Sequence, residues 1–209
     1  MLALIDYGIG NLRSVASSLE AAGVTHVRTG DPARIADASR LLLPGVGAFG
    51  ACATALRAAG LDRVVLDRVA AGVPLLGVCV GMQLLFDSSE ERGTHAGLGL
   101  LPGRVVAFEP QPGRKVPHMG WNVVEGVRDH PVVAPDPTWA YFVHTYHAVA
   151  AEASDVLATA SYPSPFPAIV GRENVVGVQY HPEKSSRAGL DLLRRFASWT
   201  PTPVSPIAA

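Results

Sequence analysis

An α/β fold with one central, mostly parallel sheet flanked by helices is what this sequence predicts, and three observations lead there. Through the first half, short apolar runs alternate with helical patterns across loops that carry Gly or Pro, the mark of strand–helix–strand units. With 209 residues, 48% hydrophobic and 17% charged, the chain can build one sizeable core and does not resemble a disordered segment. Beyond Phe86 the texture changes to β-rich runs punctuated by Gly and Pro, so the sheet is expected to be mixed, with antiparallel additions in the second half. A single domain over residues 1–200 is expected, with a flexible Pro-rich tail over 201–209.

Taken in order, Leu2–Ile5 reads as a buried first strand ending at Asp6-Tyr7-Gly8-Ile9-Gly10. Asn11 is placed to cap a helix that carries Leu12, Val15 and Leu19, and Gly23 to stop it. Val24–Arg28 follows as a strand, Asp31-Pro32 starts a helix through Ile35 and Ala38, and Arg40–Leu43 is a third strand closed by Pro44-Gly45-Val46-Gly47. Helical patterns cover Ala51–Ala59 and Leu61–Ala71. The strand Leu75–Val78 then runs into Cys79 and a helix expected over Met82–Phe86. Later, Arg104–Phe108, Trp139–Val143, Val156–Ala160, Ala168–Val170 and Val175–Gln179 read as strands. Ser185-Ser186 reads as the cap of a last helix, with Leu190, Leu193 and Phe196 close to one face.

Bulk properties narrow the function classes. A formal net charge of −1 gives no electrostatic footprint for nucleic acid or a membrane surface. No apolar run approaches membrane-spanning length, and the start at Met1 lacks a basic leader and meets Asp6 too early for a signal peptide. Two cysteines make no disulfide framework and fit a reducing compartment, so a cytoplasmic protein is expected. No Cys or His spacing matches a zinc site; no metal and no cofactor are expected.

Cys79 lies between an apparent strand and an apparent helix, flanked by Gly77 and Gly81. That layout resembles a nucleophile elbow, a sharp turn that holds a reactive side chain above a sheet. Helix N-terminal N–H groups at such a turn favour a thiolate. A buried structural cysteine is the other reading of the same residues. His181-Pro182-Glu183 follows another strand and offers a base for the thiol and an acid to orient the ring; by itself it is also a surface turn. Four strand-end loops, at Asp6–Asn11, Pro44–Gly47, Cys79–Gly81 and His181–Glu183, converge where open α/β sheets place their sites.

Gly77-Val-Cys79-Val-Gly81-Met-Gln83 together with Gly177-Val-Gln-Tyr-His181-Pro-Glu183 resembles the class I triad glutamine amidotransferases. Asp6-Tyr-Gly-Ile-Gly-Asn11-Leu-Arg13, Leu43-Pro-Gly-Val-Gly47, Pro117-His-Met-Gly-Trp121-Asn122, Tyr141-Phe-Val-His144-Thr-Tyr146 and His181-Pro-Glu-Lys184-Ser look like the glutaminase subunits of imidazole glycerol phosphate synthase. The resemblance runs from the first strand to the last helix and implies the class I amidotransferase fold. It implies Cys79 as the nucleophile on glutamine, His181 as base and then acid, and Glu183 as its orienting group. Val80, with Gly45, Val46 and Gly47, would supply oxyanion donors, and Gln83, Thr145 and Tyr146 would surround the glutamine. Glycines in that loop could let a peptide rotate, so an inactive arrangement could exist without a partner's signal.

The resemblance also implies a (β/α)₈-barrel cyclase subunit as partner in a heterodimer, receiving ammonia to make imidazole glycerol phosphate and aminoimidazole carboxamide ribotide in histidine biosynthesis. Asn11, Trp121, Tyr141, His144 and Lys184 are its candidates for the partner face. Their plain alternatives are a helix cap, two core aromatics, a satisfied strand histidine and a solvated charge. Thr145 stands where serine is frequent, and Val78 and Val80 replace bulkier aliphatics. His118 and His147 receive no role, and Cys52 reads as a small buried apolar residue. Another triad amidotransferase, a non-catalytic subunit of the same fold and a stand-alone cysteine hydrolase are the competing readings.

Overall fold

The computed structural model describes residues 1–109, 111, 113 and 115–201, so the tail expected at 201–209 lies outside the described residues except for Pro201. The first half of the chain runs β1 (Leu2–Ile5), α1 (Leu12–Ala21), β2 (His26–Thr29), α2 (Pro32–Ala36), β3 (Arg40–Gly45), α3 (Phe49–Ala58), α4 (Leu61–Ala70), β4 (Leu75–Cys79) and α5 (Val80–Gln83). The second half contains β5 (Phe86–Ser89), β6 (His95–Ala96), β7 (Leu101–Ala107), β8 (His118–Gly126), β9 (Thr138–His144) and β10 (Tyr146–Ala150). It closes with β11 (Val156–Ser161), β12 (Pro165–Arg172), β13 (Val175–Val178) and α6 (Ser186–Ser198).

A nine-stranded sheet of order β2-β1-β3-β4-β13-β12-β11-β8-β9 forms the centre. Strands β2, β1, β3, β4 and β13 pair in parallel, and β12, β11, β8 and β9 continue in antiparallel. The α/β class with a mixed sheet is therefore the observed one. A four-stranded sheet of order β10-β7-β5-β6 lies beside it. Apart from the edge strand β2, the parallel strands are buried along their length (Leu2–Ile5, Leu41–Leu43, Leu75–Val78, Val175–Val178), as expected for strands covered by helices on both faces. One contiguous apolar cluster runs from Leu2 to Trp199.

The helices follow their local signals. α1 buries Leu12, Val15 and Leu19, and Gly23 at φ +74° ends its run. α2 starts at Pro32, with the Asp31 carboxylate accepting from the Ala33 N–H at 2.9 Å. Asn11 and Ser185 precede α1 and α6, but neither caps its helix through its side chain, because both side chains are engaged at the site described below.

Two departures have clear causes. The helix expected over Met82–Phe86 is a single turn that begins at Val80. The Leu84 and Leu85 carbonyls accept from Leu98, Leu100 and Leu101 N–H groups, so the chain leaves the helix there and Phe86 starts β5. The strand β8 was not anticipated because its pattern is inverted. Met119 and Trp121 face outward while His118 and Asn122 face inward, opposite His144 and Ala140 of β9.

Buried Asn174 joins the parallel half to its helix layer, donating through Nδ2 to the carbonyls of Val69 at 2.9 Å and Val73 at 2.8 Å. Asn174→Ala leaves both acceptors without that partner and is expected to cost about 2–4 kcal/mol of stability, read as a lowered urea midpoint at unchanged m-value.

Candidate functional site

Cys79 ends β4 with φ 55° and ψ −113°, a backbone conformation that L-residues rarely adopt and that costs on the order of 1–3 kcal/mol. Three glycines make the turn possible. A Cβ on Gly77 would stand 2.6 Å from the Gly81 carbonyl oxygen, one on Gly45 would stand 2.6 Å from the Gly81 nitrogen, and one on Gly81 would overlap the Leu43 carbonyl oxygen. The first turn of α5 thus packs directly on the backbones of β3 and β4, and Cys79 has no other way to turn. The next N–H, that of Val80, opens the helix above the sulfur.

The Pro44–Gly47 loop lies beside this turn, with Pro44 and Gly45 continuing β3 and paired with Val78 and Cys79. Its carbonyls are held from behind. The Tyr7 hydroxyl donates to the Pro44 oxygen at 2.7 Å, and the Cys52 thiol donates to the Val46 oxygen at 3.3 Å. Burial, reinforced by Cys52, keeps the Tyr7 phenol far above its ordinary pKa, and burial likewise pushes the Cys52 thiol up, so both remain protonated donors. Cys52 is therefore more than an apolar filler. Gly47 is exposed at φ +83°.

His181 follows β13, the parallel neighbour of β4. Its N–H donates to the Tyr141 oxygen at 3.0 Å, and its carbonyl accepts from Ser185 Oγ at 2.7 Å, which in turn accepts from the Tyr141 N–H at 2.9 Å. This small ring is where the Ser185 side chain goes. His181 Nδ1 donates to Glu183 Oε1 at 2.9 Å, and Asn11 Nδ2 donates to the same oxygen at 3.4 Å. Burial alone would lower the His181 pKa. Hydrogen bonds to Cys79 and Glu183 and the charges of both outweigh it and raise the value to about 10. For Glu183, burial works upward, but the His181 hydrogen bond and charge hold the carboxyl below its ordinary value. Cys79, His181 and Glu183 are thus connected side by side, with both neighbours favouring the protonated ring of His181.

A cavity of about 380 Å³ opens over the sulfur, lined by Val46, Gly47, Cys79, Val80, Gln83, Thr145, Tyr146, His181 and Lys184 among others. Gln83 donates to the Tyr146 oxygen at 3.0 Å and to Gln179 Oε1 at 3.1 Å. Gly45 does not line the cavity; it sits beneath it, against Gly81. His144 departs from its expected place on a partner face. It is 6% exposed and lines the cavity, on the same side of β9 as the buried Phe142. Asn11 is half-buried against Glu183, Lys184 is exposed over the Tyr141 ring at 5.6 Å, and Trp121 is exposed beside Tyr141.

Sequence reasoning missed two residues. Gln179 is fully buried and directs Nε2 to Cys79 Sγ at 3.9 Å; its position two residues before His181 in extended chain was the signal. Glu91 lines the cavity and accepts from the Phe49 N–H at 2.6 Å, with no motif around it to mark it.

Comparison with known proteins adds the following. The family model described as glutamine amidotransferase class-I matches residues 3–198. The imidazole glycerol phosphate synthase subunit HisH of Salinibacter ruber is 54% identical over 205 residues, covering 95% of this chain and 94% of the relative. The subunit of the same name from Symbiobacterium thermophilum is 48% identical over 200 residues, covering 95% and 92%. A solved glutamine amidotransferase superposes with a TM-score of 0.75 at 19% identity, covering 95% of this chain and 99% of the other, which is a likeness of fold.

Because the folded state raises the His181 pKa from its ordinary value of about 6.5, the protonated ring stabilises the fold fully below that value, and its contribution is lost as pH rises through about 10. Glu183→Gln removes the charge that helps hold the ring protonated. The His181 pKa is expected to fall in a histidine NMR titration, and the alkaline loss of stability to start at lower pH. An unshifted titration would exclude the pairing.

Proposed function

The chain belongs to the class-I glutamine amidotransferases and, within them, to the HisH subunits of imidazole glycerol phosphate synthase; on that footing we propose that Cys79, His181 and Glu183 hydrolyse glutamine and that the ammonia passes to a cyclase subunit. The observation that carries the reading is Cys79, held in a left-handed turn and facing a histidine that is itself paired with Glu183 at 2.9 Å.

The thiolate, its proton held on His181, attacks the side-chain amide carbon of glutamine. The oxyanion that forms is met by the Val80 N–H and by an N–H of the Val46–Gly47 segment. His181 gives its proton to the departing nitrogen, ammonia leaves, and a γ-glutamyl thioester remains on Sγ. Water, deprotonated by His181, attacks the thioester and releases glutamate. The proton stays on the ring and the thiolate is restored, so each turnover converts glutamine and water to glutamate and ammonia.

Cavity geometry supports the choice of substrate. Glu91 is the carboxylate on the lining and suits the α-ammonium group of the amino acid. Thr145 lies on the wall with its carbonyl accepting one N–H, from Phe108 at 3.1 Å, so a second lone pair remains for a ligand donor. Gln83 braces the wall through Tyr146, and Gln179 orients the sulfur.

The partner reading rests on the outward face of β8 and β9. Met119, Trp121 and Trp139 are 62%, 49% and 60% exposed on one face of this antiparallel pair, an apolar patch with aromatic anchors of the kind that interfaces bury. Tyr141 lies on that face and bonds to His181 through its backbone, so the patch abuts the triad. Delivery to a partner also suits ammonia, a neutral product that diffuses away or takes a proton in water. A (β/α)₈-barrel cyclase is the occupant we assign, and Trp139 joins Trp121, Tyr141 and Lys184 as its contacts. No helix among the described residues is long and apolar enough to cross a membrane. Two unpaired cysteines, one of them the nucleophile, suit a reducing cytoplasm.

Cys79→Ala is expected to abolish synthesis from glutamine in the complex while sparing synthesis from added ammonia; loss of both would make the cysteine structural. Trp121→Ala is expected to weaken complex formation by on the order of 2 kcal/mol with little change in the melting temperature of the chain alone. Calorimetric titration with the cyclase measures the first effect and thermal unfolding the second.

A further inference from the structure

Beneath the apolar face, on the inward side of the same two strands, His118 and His144 stand directly opposite each other. His118 Nδ1 lies 3.0 Å from His144 Nε2, His144 Nδ1 lies 2.9 Å from the Tyr146 carbonyl oxygen, and Asn122 Nδ2 lies 3.3 Å from His118 Nε2. Donor and acceptor chemistry fixes the direction of every bond. The Tyr146 carbonyl can only accept, so His144 carries its hydrogen on Nδ1. Burial lowers the His144 pKa to about 3, which leaves the ring neutral with a lone pair on Nε2. Burial lowers His118 to about 4, so it is neutral too and must carry its hydrogen on Nδ1, facing that lone pair. Its own Nε2 is left to accept from Asn122. The Asn122 amide cannot be reversed, since Oδ1 accepts the Val123 N–H at 2.8 Å and Nδ2 donates to the Ser161 carbonyl at 3.0 Å.

The rings are also held mechanically. His118 is stacked between Phe142, at 5.0 Å and 27°, and Tyr162, at 4.1 Å and 20°, and cannot turn over without breaking both stacks. At the far end, the Tyr146 oxygen takes a second hydrogen bond from Gln83, so both of its lone pairs are used and its peptide plane is fixed.

We propose that His118 and His144 are positioning residues for glutamine: two neutral imidazoles, held as Nδ1–H tautomers, form a one-way hydrogen-bond chain that starts at Asn122 beside the apolar docking face and ends on the cavity wall at Tyr146. This rests on the glutaminase reading and deepens it, because it says how the strand that carries Trp121 sets the wall against which glutamine lies. Neither ring exchanges a proton with substrate; they act through the peptide they hold.

The test has a spectroscopic and a kinetic arm. Long-range ¹H–¹⁵N spectra of the full-length chain at pH 7 are expected to show two histidines with a protonated Nδ1 and a bare Nε2, the less common tautomer of free histidine, assigned by their loss in His118→Phe and His144→Phe. An Nε2–H or doubly protonated ring at either position overturns the chain. In the complex with the cyclase, His118→Phe keeps a stacked ring but breaks the relay, and is expected to raise the glutamine KM about tenfold with kcat nearly unchanged. Asn122→Asp keeps the shape but cannot donate, so it is expected to move the His118 hydrogen to Nε2 and raise KM in the same way. An unchanged KM in both variants, with the wild-type tautomers as stated, overturns the positioning role. Where a variant fails to fold, the wild-type spectrum still decides the tautomers. Failure of the underlying reading is distinct: it is the absence of ammonia release from glutamine by the wild-type complex.

Discussion

The left-handed turn at Cys79 is the constraint on which the rest of the site depends. A residue with a Cβ rarely combines φ 55° with ψ −113°, and here the neighbours that make room for it are three glycines on three segments. Gly45, Gly77 and Gly81 let α5 start one residue after Cys79, directly over two sheet strands. The groups around the sulfur are arranged about that turn: Val80 opening α5, the Pro44–Gly47 loop to one side, and Gln179 and His181 just past the end of the adjacent strand β13.

Charge is the second organising element. A buried imidazolium is unfavourable on its own, and it persists because Cys79 and Glu183 face it from both sides. The triad is also wired to the surface. Tyr141 donates its N–H to Ser185 and accepts from the His181 N–H, so strand β9 and His181 share one hydrogen-bonded ring. The apolar face and the chemistry are thus separated by a single strand.

Much of this was legible in the sequence, and what was not has physical reasons. The parallel half could be read because its strands are uninterrupted apolar runs with glycine or proline at their ends. The triad could be read because an elbow cysteine and a His-Pro-Glu turn are short, local patterns. By contrast, β8 hides its register by placing His118 and Asn122 inward and Met119 and Trp121 outward, the reverse of the usual rule. His144, a partner-face candidate on the resemblance alone, is buried on the neighbouring strand and lines the cavity. Asn11 and Ser185 looked like helix caps because cap residues and site residues draw on the same side chains; only the fold shows that their polar atoms go to Glu183 and to His181 instead. Cys52 read as filler because nothing in sequence marks a thiol aimed at a carbonyl.

The stretch Asp6–Asn11 touches both sides of the proposed site. Tyr7 holds the Pro44 carbonyl at one end of the Pro44–Gly47 loop, and Asn11, four residues later, holds Glu183. The spacing between those two anchors is therefore a ruler. An insertion or deletion inside it would leave one anchor in place only by displacing the other, and Gly8 at φ +85° and Gly10 at φ +141° hold turns that a side chain would strain, so both the length and the glycines of this loop are constrained.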